Sequence, residues 1–219
     1  MKINVLYDME KETLHFDNNF LTYNKIRPGY PKEIYEMVSK HKKLDGNSAV
    51  LEIGAGNGIA SREIYDNWHP KLTLIEPGKN FCSILAEQFT NIKDIKIENT
   101  TFDKYNSTIL YDAIFSATAF HWLDISLKYK KSFEMLKEDG LLVLYWNYYG
   151  IEDTEMENSI QSIYLKYGMG TEDGKNGYEK QIDKINSRRK EIEESNYFKI
   201  LEHKSIKRII EYSASDNTK

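Results

Sequence analysis

The segment Val50-Leu-Glu-Ile-Gly-Ala-Gly-Asn-Gly58 limits what this chain can fold into more than any other. An apolar run, Ser48 to Ile53, is bounded by Asp45-Gly46-Asn47 and by Gly54, so it reads as a buried strand. Glycines at 54, 56 and 58 follow, and then a helical pattern from Gly58 to Asn67. Such glycines let the backbone turn sharply and let a ligand lie against it. The helix start behind them offers unpaired N–H groups to electronegative atoms. A second strand, Lys71 to Ile75, ends at Glu76, where a carboxylate can accept both hydroxyls of a ribose. A glycine loop alone is only a tight turn. The strand before it, the helix after it and the acid at the end of the second strand make it a nucleoside site.

The alternation continues. A helix from Asn80 to Phe89 precedes a weaker strand, Ile95 to Glu98, and a fourth strand, Tyr111 to Ala117. A helix capped by Asp124 runs to Leu136, and Gly140 to Trp146 is a fifth strand whose unbroken apolar character predicts a central place. Before the first strand, Pro31 suits the first turn of a helix reaching about Lys43. The expected fold class is therefore α/β: a Rossmann-like, doubly wound, mostly parallel sheet with helices on both faces. Residues 1–45 read as an N-terminal arm and helix, and 46–150 as the binding core. Residues 151–197 read as a helical cap insertion, with helices over Thr154–Tyr167 and Tyr178–Asn196. Residues 198–219 read as a sixth strand, Phe198 to Tyr212, and a short tail.

Composition narrows the function. The 219 residues carry a net charge of −4, with 25 lysines against 5 arginines, which is a poor footprint for nucleic acid. The run Arg188-Arg189-Lys190 lies among acids and reads as a solvated helix face. No apolar stretch of about eighteen residues is present to cross a membrane, and no export signal is visible. Cys82, the single cysteine, has no partner within the chain, so a reducing cytoplasm is expected. The five histidines are scattered without metal spacing, so no metal site is expected.

The loop spacing separates two ligand classes. A dinucleotide fingerprint wants a small residue where Ile59 stands, and an apolar one where Glu52 stands. Glu52-Ile-Gly-Ala-Gly-Asn-Gly58 instead resembles motif I of the class I S-adenosylmethionine-dependent methyltransferases. Tyr23-Asn-Lys-Ile-Arg27-Pro-Gly-Tyr30-Pro31 is similar to the N-terminal stretch of their type 11 small-molecule subgroup, notably relatives of trans-aconitate methyltransferase. Ser116-Ala-Thr-Ala-Phe-His-Trp-Leu123 resembles that subgroup's segment after the fourth strand, and Phe198 and Tyr212-Ser-Ala214 also match it.

This resemblance implies a cofactor, S-adenosylmethionine, and a set of residues around it. Glu52, Gly54, Ala55 and Gly56 would border its methionyl part, with Ala117 opposite. Glu76 would hold the ribose, and Pro77, Thr101, Phe102 and Asp103 the adenine. Arg27 would fork the methionyl carboxylate, with Tyr23 adding a hydroxyl. Tyr30, His121 and Trp122 would face the acceptor. His121 is the one candidate general base, although methylation of a carboxylate needs none. The expected function is methyl transfer to a small-molecule acceptor such as a carboxylate. Two readings compete with it: a cofactor-binding but inactive relative, and a nicotinamide-dependent oxidoreductase. In the subgroup a further helix and an antiparallel strand follow the Tyr-Ser-Ala triplet. This sequence ends soon after that triplet, so the final strand is expected to be missing, with an open edge on the fifth strand, covered by the sixth strand or by a second copy in a homodimer.

Overall fold

A computed structural model describes residues 28–148, 154–167 and 177–209. The chain divides into two compact units, Met1–Tyr145 with Glu202–Lys219, and Trp146–Leu201. The first unit holds helices α1 (Glu33–His41), α2 (Ile59–Trp68), α3 (Lys79–Gln88) and α4 (Ile125–Met135). Its strands are β1 (Ala49–Ile53), β2 (Lys71–Ile75), β3 (Ile95–Glu98), β4 (Tyr111–Ala117) and β5 (Leu136–Tyr145). They form one sheet in the order β3-β2-β1-β4-β5, with every neighbouring pair parallel.

That order follows from two runs of right-handed crossovers in opposite directions from β1. The first run, through α2 and α3, builds outward to β3. The chain then returns to the other side of β1 for β4 and β5. The direction of winding therefore reverses between β1 and β4, and a crevice opens there at the carboxyl ends of the strands. β1 lies at the centre, and Val50, Leu51 and Ile53 are almost fully buried. Each such side chain contributes roughly 1.5–3 kcal/mol. Ile64 of α2 and Leu85 of α3 pack into the same core as Val50 and Leu74.

Local signals explain the element ends. The Asp124 carboxylate accepts from the Ser126 N–H at 2.8 Å and starts α4, as its sequence position predicts. His69, in left-handed backbone, closes α2 through its N–H to the Tyr65 carbonyl. Near the amino ends of the strands, Asp112 accepts from the Ala49 N–H and the Lys137 ammonium, both at 2.8 Å. These donors hold its carboxyl below the usual range against the opposing effect of burial.

Two expectations need correction. The fifth strand begins earlier, at Leu136, crosses a register shift, and lies at the edge of the described sheet. Its apolar character wrongly pointed to the centre, whereas the missing final strand correctly pointed to an open edge. Its apolar run, Leu141 to Leu144, is only half-buried, and an apolar pattern carries no information about place in the hydrogen-bonding order. The sixth strand is not formed over residues 198–209, most of which are exposed. Residues 210–219 lie outside the described residues. A strand needs a paired neighbour as well as an apolar pattern, and this segment has none within the described sheet.

The second unit contains α5 (Thr154–Lys166) and α6 (Gly177–Ser195). Of the basic run, Arg189 and Lys190 are exposed as expected, and only Arg188 turns away from solvent. The Arg188 guanidinium lies 4.0 Å from the centre of the Trp146 ring and 5.2 Å from that of Tyr148. No described helix is long and apolar enough to cross a membrane.

Candidate functional site

A cavity of about 330 Å³ occupies the crevice at the ends of β1, β2 and β4. Its floor is the glycine loop. The N–H groups of Gly54 and Ala55 both donate to the Ile75 carbonyl, at 2.9 and 3.1 Å, and bend the chain away from β1. Glu76, buried at the end of β2, fastens the loop from the side: one oxygen accepts from Gly56 N–H and the other from Gly78 N–H, both at 2.8 Å. A carboxylate accepts about four hydrogen bonds, so the oxygens that hold this loop can also take the hydroxyls of a bound sugar.

Two glycines in the loop are needed for different reasons. Gly54 has φ +73°, and a Cβ there would stand 2.5 Å from the Ala119 Cβ. Gly56 has φ +54°, with nothing within 4 Å of where its Cβ would be. Gly54→Ala should therefore destabilise the protein by about 2–4 kcal/mol, and Gly56→Ala by about 1 kcal/mol. Equal melting temperatures for the two variants would contradict the clash with Ala119.

Residues after β3 form a second wall. Phe102 is buried, with the Lys131 ammonium 5.3 Å from its ring centre, and that ammonium donates to the Asp103 carbonyl at 2.8 Å. The Thr101 hydroxyl is buried with no protein partner. Pro77 completes this wall, its carbonyl accepting from the Asn99 side-chain amide at 2.9 Å.

The end of β4 forms the third wall. Ser116 donates to the Ile53 carbonyl at 3.0 Å and locks β4 to β1, which brings Ala117 to the cavity. Thr118 follows with φ +56°, a costly conformation for a β-branched residue. Its N–H donates to the Tyr145 carbonyl at 2.8 Å, and its hydroxyl meets the Tyr30 hydroxyl at 3.1 Å. A single 3₁₀ turn, Phe120–Trp122, then sets the His121 and Trp122 rings against each other with centres 4.6 Å apart at the rim. Both rings are exposed.

Glu52 is the electrostatic anomaly. It sits in the central strand with no exposure, and its Oε2 accepts from the Ser61 hydroxyl at 2.5 Å. The other oxygen has no protein partner. Burial pushes its carboxyl up to about 8, with the Glu76 and Glu63 charges adding to the rise and the Ser61 hydrogen bond opposing it.

The cavity thus gathers Tyr30, Glu52, Gly54, Ala55, Gly56, Glu76 and Pro77 from the residues expected on sequence grounds. Thr101, Phe102, Asp103, Ala117, His121 and Trp122 join them. Tyr23 and Arg27 lie outside the described residues. Sequence reasoning missed Thr118, Ala119 and Phe81, which also line the cavity. A residue in left-handed backbone directly after a strand leaves no compositional mark when it is a threonine, and Phe81 reads in the sequence only as part of the helix Asn80 to Phe89. Among the described residues no cluster of His, Cys, Asp and Glu could hold a metal ion.

Comparison with known proteins gives this geometry a family. A probable S-adenosylmethionine-dependent methyltransferase of Saccharomyces cerevisiae is 28% identical over 165 residues, which are 72% of this chain and 55% of that protein. An uncharacterized methyltransferase of Schizosaccharomyces pombe is 24% identical over 132 residues, 60% of this chain and 52% of that one. The chain spans about half the length of the curated relatives it matches. Among solved structures, Haemonchus contortus phosphoethanolamine N-methyltransferase 2, bound to S-adenosylhomocysteine, shares the fold. Its TM-score is 0.52 at 16% identity, over 85% of this chain and 44% of that one. A cyclopropane synthase from Mycobacterium tuberculosis gives a TM-score of 0.53 at 17% identity, over 73% of this chain and 63% of that one. The profile of the family described as ribosomal RNA adenine dimethylase matches residues 14–131. That match covers more than half of the 219 residues, so the chain belongs to this family, and its Rossmann-like sheet is that of the class I S-adenosylmethionine-dependent methyltransferases.

Proposed function

We propose that this protein binds S-adenosylmethionine in the switch-point cavity and transfers its methyl group to a small molecule, as in the type 11, trans-aconitate methyltransferase-like subgroup. The observation that carries the reading is the Glu76 carboxylate, buried at the end of β2 and fastened to the Gly56 N–H. The cavity fits the cofactor chemically. It offers a carboxylate for a ribose, a buried unpartnered threonine hydroxyl beside Phe102 for a purine edge, and a glycine at position 56 with open space around it.

When bound, S-adenosylmethionine supplies an electrophilic methyl group on a sulfonium. The chain's own residues bind, orient and exclude water. Glu76 would take the ribose hydroxyls through charge-assisted bonds of roughly 1.5–3 kcal/mol each. Thr101, Phe102, Asp103 and Pro77 would hold the adenine. Gly54, Ala55 and Gly56 would lie along the methionyl part beside Glu52 and Ala117. Tyr23 and Arg27 of the N-terminal arm would engage the methionyl carboxylate. Tyr30, His121 and Trp122 would border the acceptor, and His121 would accept a proton where the acceptor carries one. Alignment and water exclusion are worth several kcal/mol without any base.

Titration calorimetry with S-adenosylmethionine and S-adenosylhomocysteine tests the binding step. Heat with both ligands is expected, and no heat with either at millimolar concentration ends the proposal. An RNA adenine acceptor is the second reading, favoured by the family's description. The net charge of −4 weighs against it. Labelled methyl donor offered with small carboxylates and amines, or with ribosomal RNA, separates the readings. Donor binding without label transfer to any acceptor would support the inactive relative instead.

A further inference from the structure

Glu63 does not line the cavity, yet it holds part of the wall. It projects from α2, and both of its oxygens accept from the Tyr30 N–H, at 3.1 and 3.3 Å. Oε2 also accepts from the Tyr35 hydroxyl at 2.6 Å. On the opposite side of the same peptide unit, an Arg208 guanidinium nitrogen donates to the Gly29 carbonyl at 2.7 Å. One peptide group, Gly29–Tyr30, is therefore gripped at both polar ends. The grips come from charged side chains 33 and 179 residues away. Gly29 makes the approach possible, because a Cβ there would stand 2.5 Å from the Glu63 Oε1.

The residues on either side of that peptide reach the cavity. Pro28 and Tyr30 both line it. Tyr30 spans to β4 through its hydroxyl on Thr118, and its ring packs edge-on against Tyr145 with centres 4.7 Å apart. Charge-assisted hydrogen bonds to a backbone group are stronger than neutral ones. A pair acting on opposite ends of one peptide fixes its orientation as well as its position. A carboxylate serving only helix stability would not need a glycine and a guanidinium matched to it from distant parts of the chain.

We infer that Glu63 is a positioning residue of the cavity, acting with Arg208 through the Gly29–Tyr30 peptide to hold Pro28 and Tyr30 against Thr118. Its effect on ligand affinity rests on the reading that the cavity takes the methyl donor or its product. The test uses the full chain as wild type, Glu63→Ala, Glu63→Gln, Tyr30→Ala and the double variant Glu63→Ala/Tyr30→Ala. Amide exchange in the ligand-free protein is read first. In Glu63→Ala the Tyr30 amide should exchange about tenfold faster while Leu51 and Ile114 stay unchanged. S-adenosylhomocysteine affinity is read second. Glu63→Ala should weaken it about tenfold, and Glu63→Gln, which keeps an acceptor oxygen, by less than about threefold. In the Tyr30→Ala background, Glu63→Ala should cost less than about twofold more. An equal cost in both backgrounds overturns the inference, because a residue that only stabilises the scaffold would act independently of Tyr30. If the wild type takes no S-adenosylhomocysteine, the methyl-donor reading fails, and the Tyr30 amide alone decides: unchanged exchange in Glu63→Ala overturns the latch. Should Glu63→Ala not fold, Arg208→Ala supplies the same readouts from the exposed end of the peptide, and no change there is equally fatal.

Discussion

Replacing Glu76 by alanine is expected to weaken S-adenosylmethionine and S-adenosylhomocysteine about 100-fold or more, the largest effect of any single substitution in the cavity. Two losses combine. The acceptors for the ribose diol disappear, and so do the partners of the Gly56 and Gly78 N–H groups, which shape the loop. Glu76→Gln should fall between, because one oxygen remains while the new amide N–H₂ faces a backbone donor. The two parts separate in the ligand-free protein. Melting should drop by an amount set by two hydrogen bonds, roughly 1–3 kcal/mol, while affinity falls further. Unchanged affinity in Glu76→Ala would end the proposed cofactor site.

The second large effect is on stability against pH, through Glu52. Its folded carboxyl is raised to about 8 by burial, well above its ordinary value of 4.5. Between those two values the unfolded chain has released this proton and the folded chain retains it. The stabilisation is therefore fully present below about pH 4.5, declines as pH rises, and is gone above about 8. The whole range corresponds to at most ~5 kcal/mol, reduced in practice by relaxation around the buried group. Glu52→Gln cannot titrate. Wild type should lose several degrees of melting temperature relative to Glu52→Gln between pH 5 and pH 8, both without ligand. Glu63 is also raised by burial and tilts the curve the same way. It is common to both proteins, so the difference between them isolates Glu52. Parallel profiles would show that Glu52 does not carry a proton in the folded protein.

Why Glu52 was legible and Glu63 was not illustrates how the two kinds of information differ. Glu52 stands out because it interrupts an apolar strand two residues before a glycine loop, and both facts are local. Glu63 is a polar residue on an amphipathic helix, as ordinary in sequence as Glu36 or Glu87. Its importance comes from the Gly29–Tyr30 peptide, which local patterning cannot bring to it. Thr118 is similar: its left-handed backbone becomes visible only once Tyr30 and Tyr145 are in place around it. The same limit applies to β5, where the apolar run Leu141 to Trp146 announced a buried strand and could not say which strand would lie beside it.

The sequence by itself determined the alternation of strands and helices, the glycine bend after Ile53, the acid at the end of β2 and the chemical class of ligand they suit. These are short-range properties, set by side-chain period, by the steric freedom of glycine and by a spacing of a few residues. Only the tertiary structure decided the strand order, the clash that keeps position 54 a glycine, the full burial that raises the Glu52 carboxyl and the two-sided grip on Gly29–Tyr30. Each of these depends on groups far apart in the chain meeting in the folded protein. There, contact distance and desolvation rather than residue type set the energy.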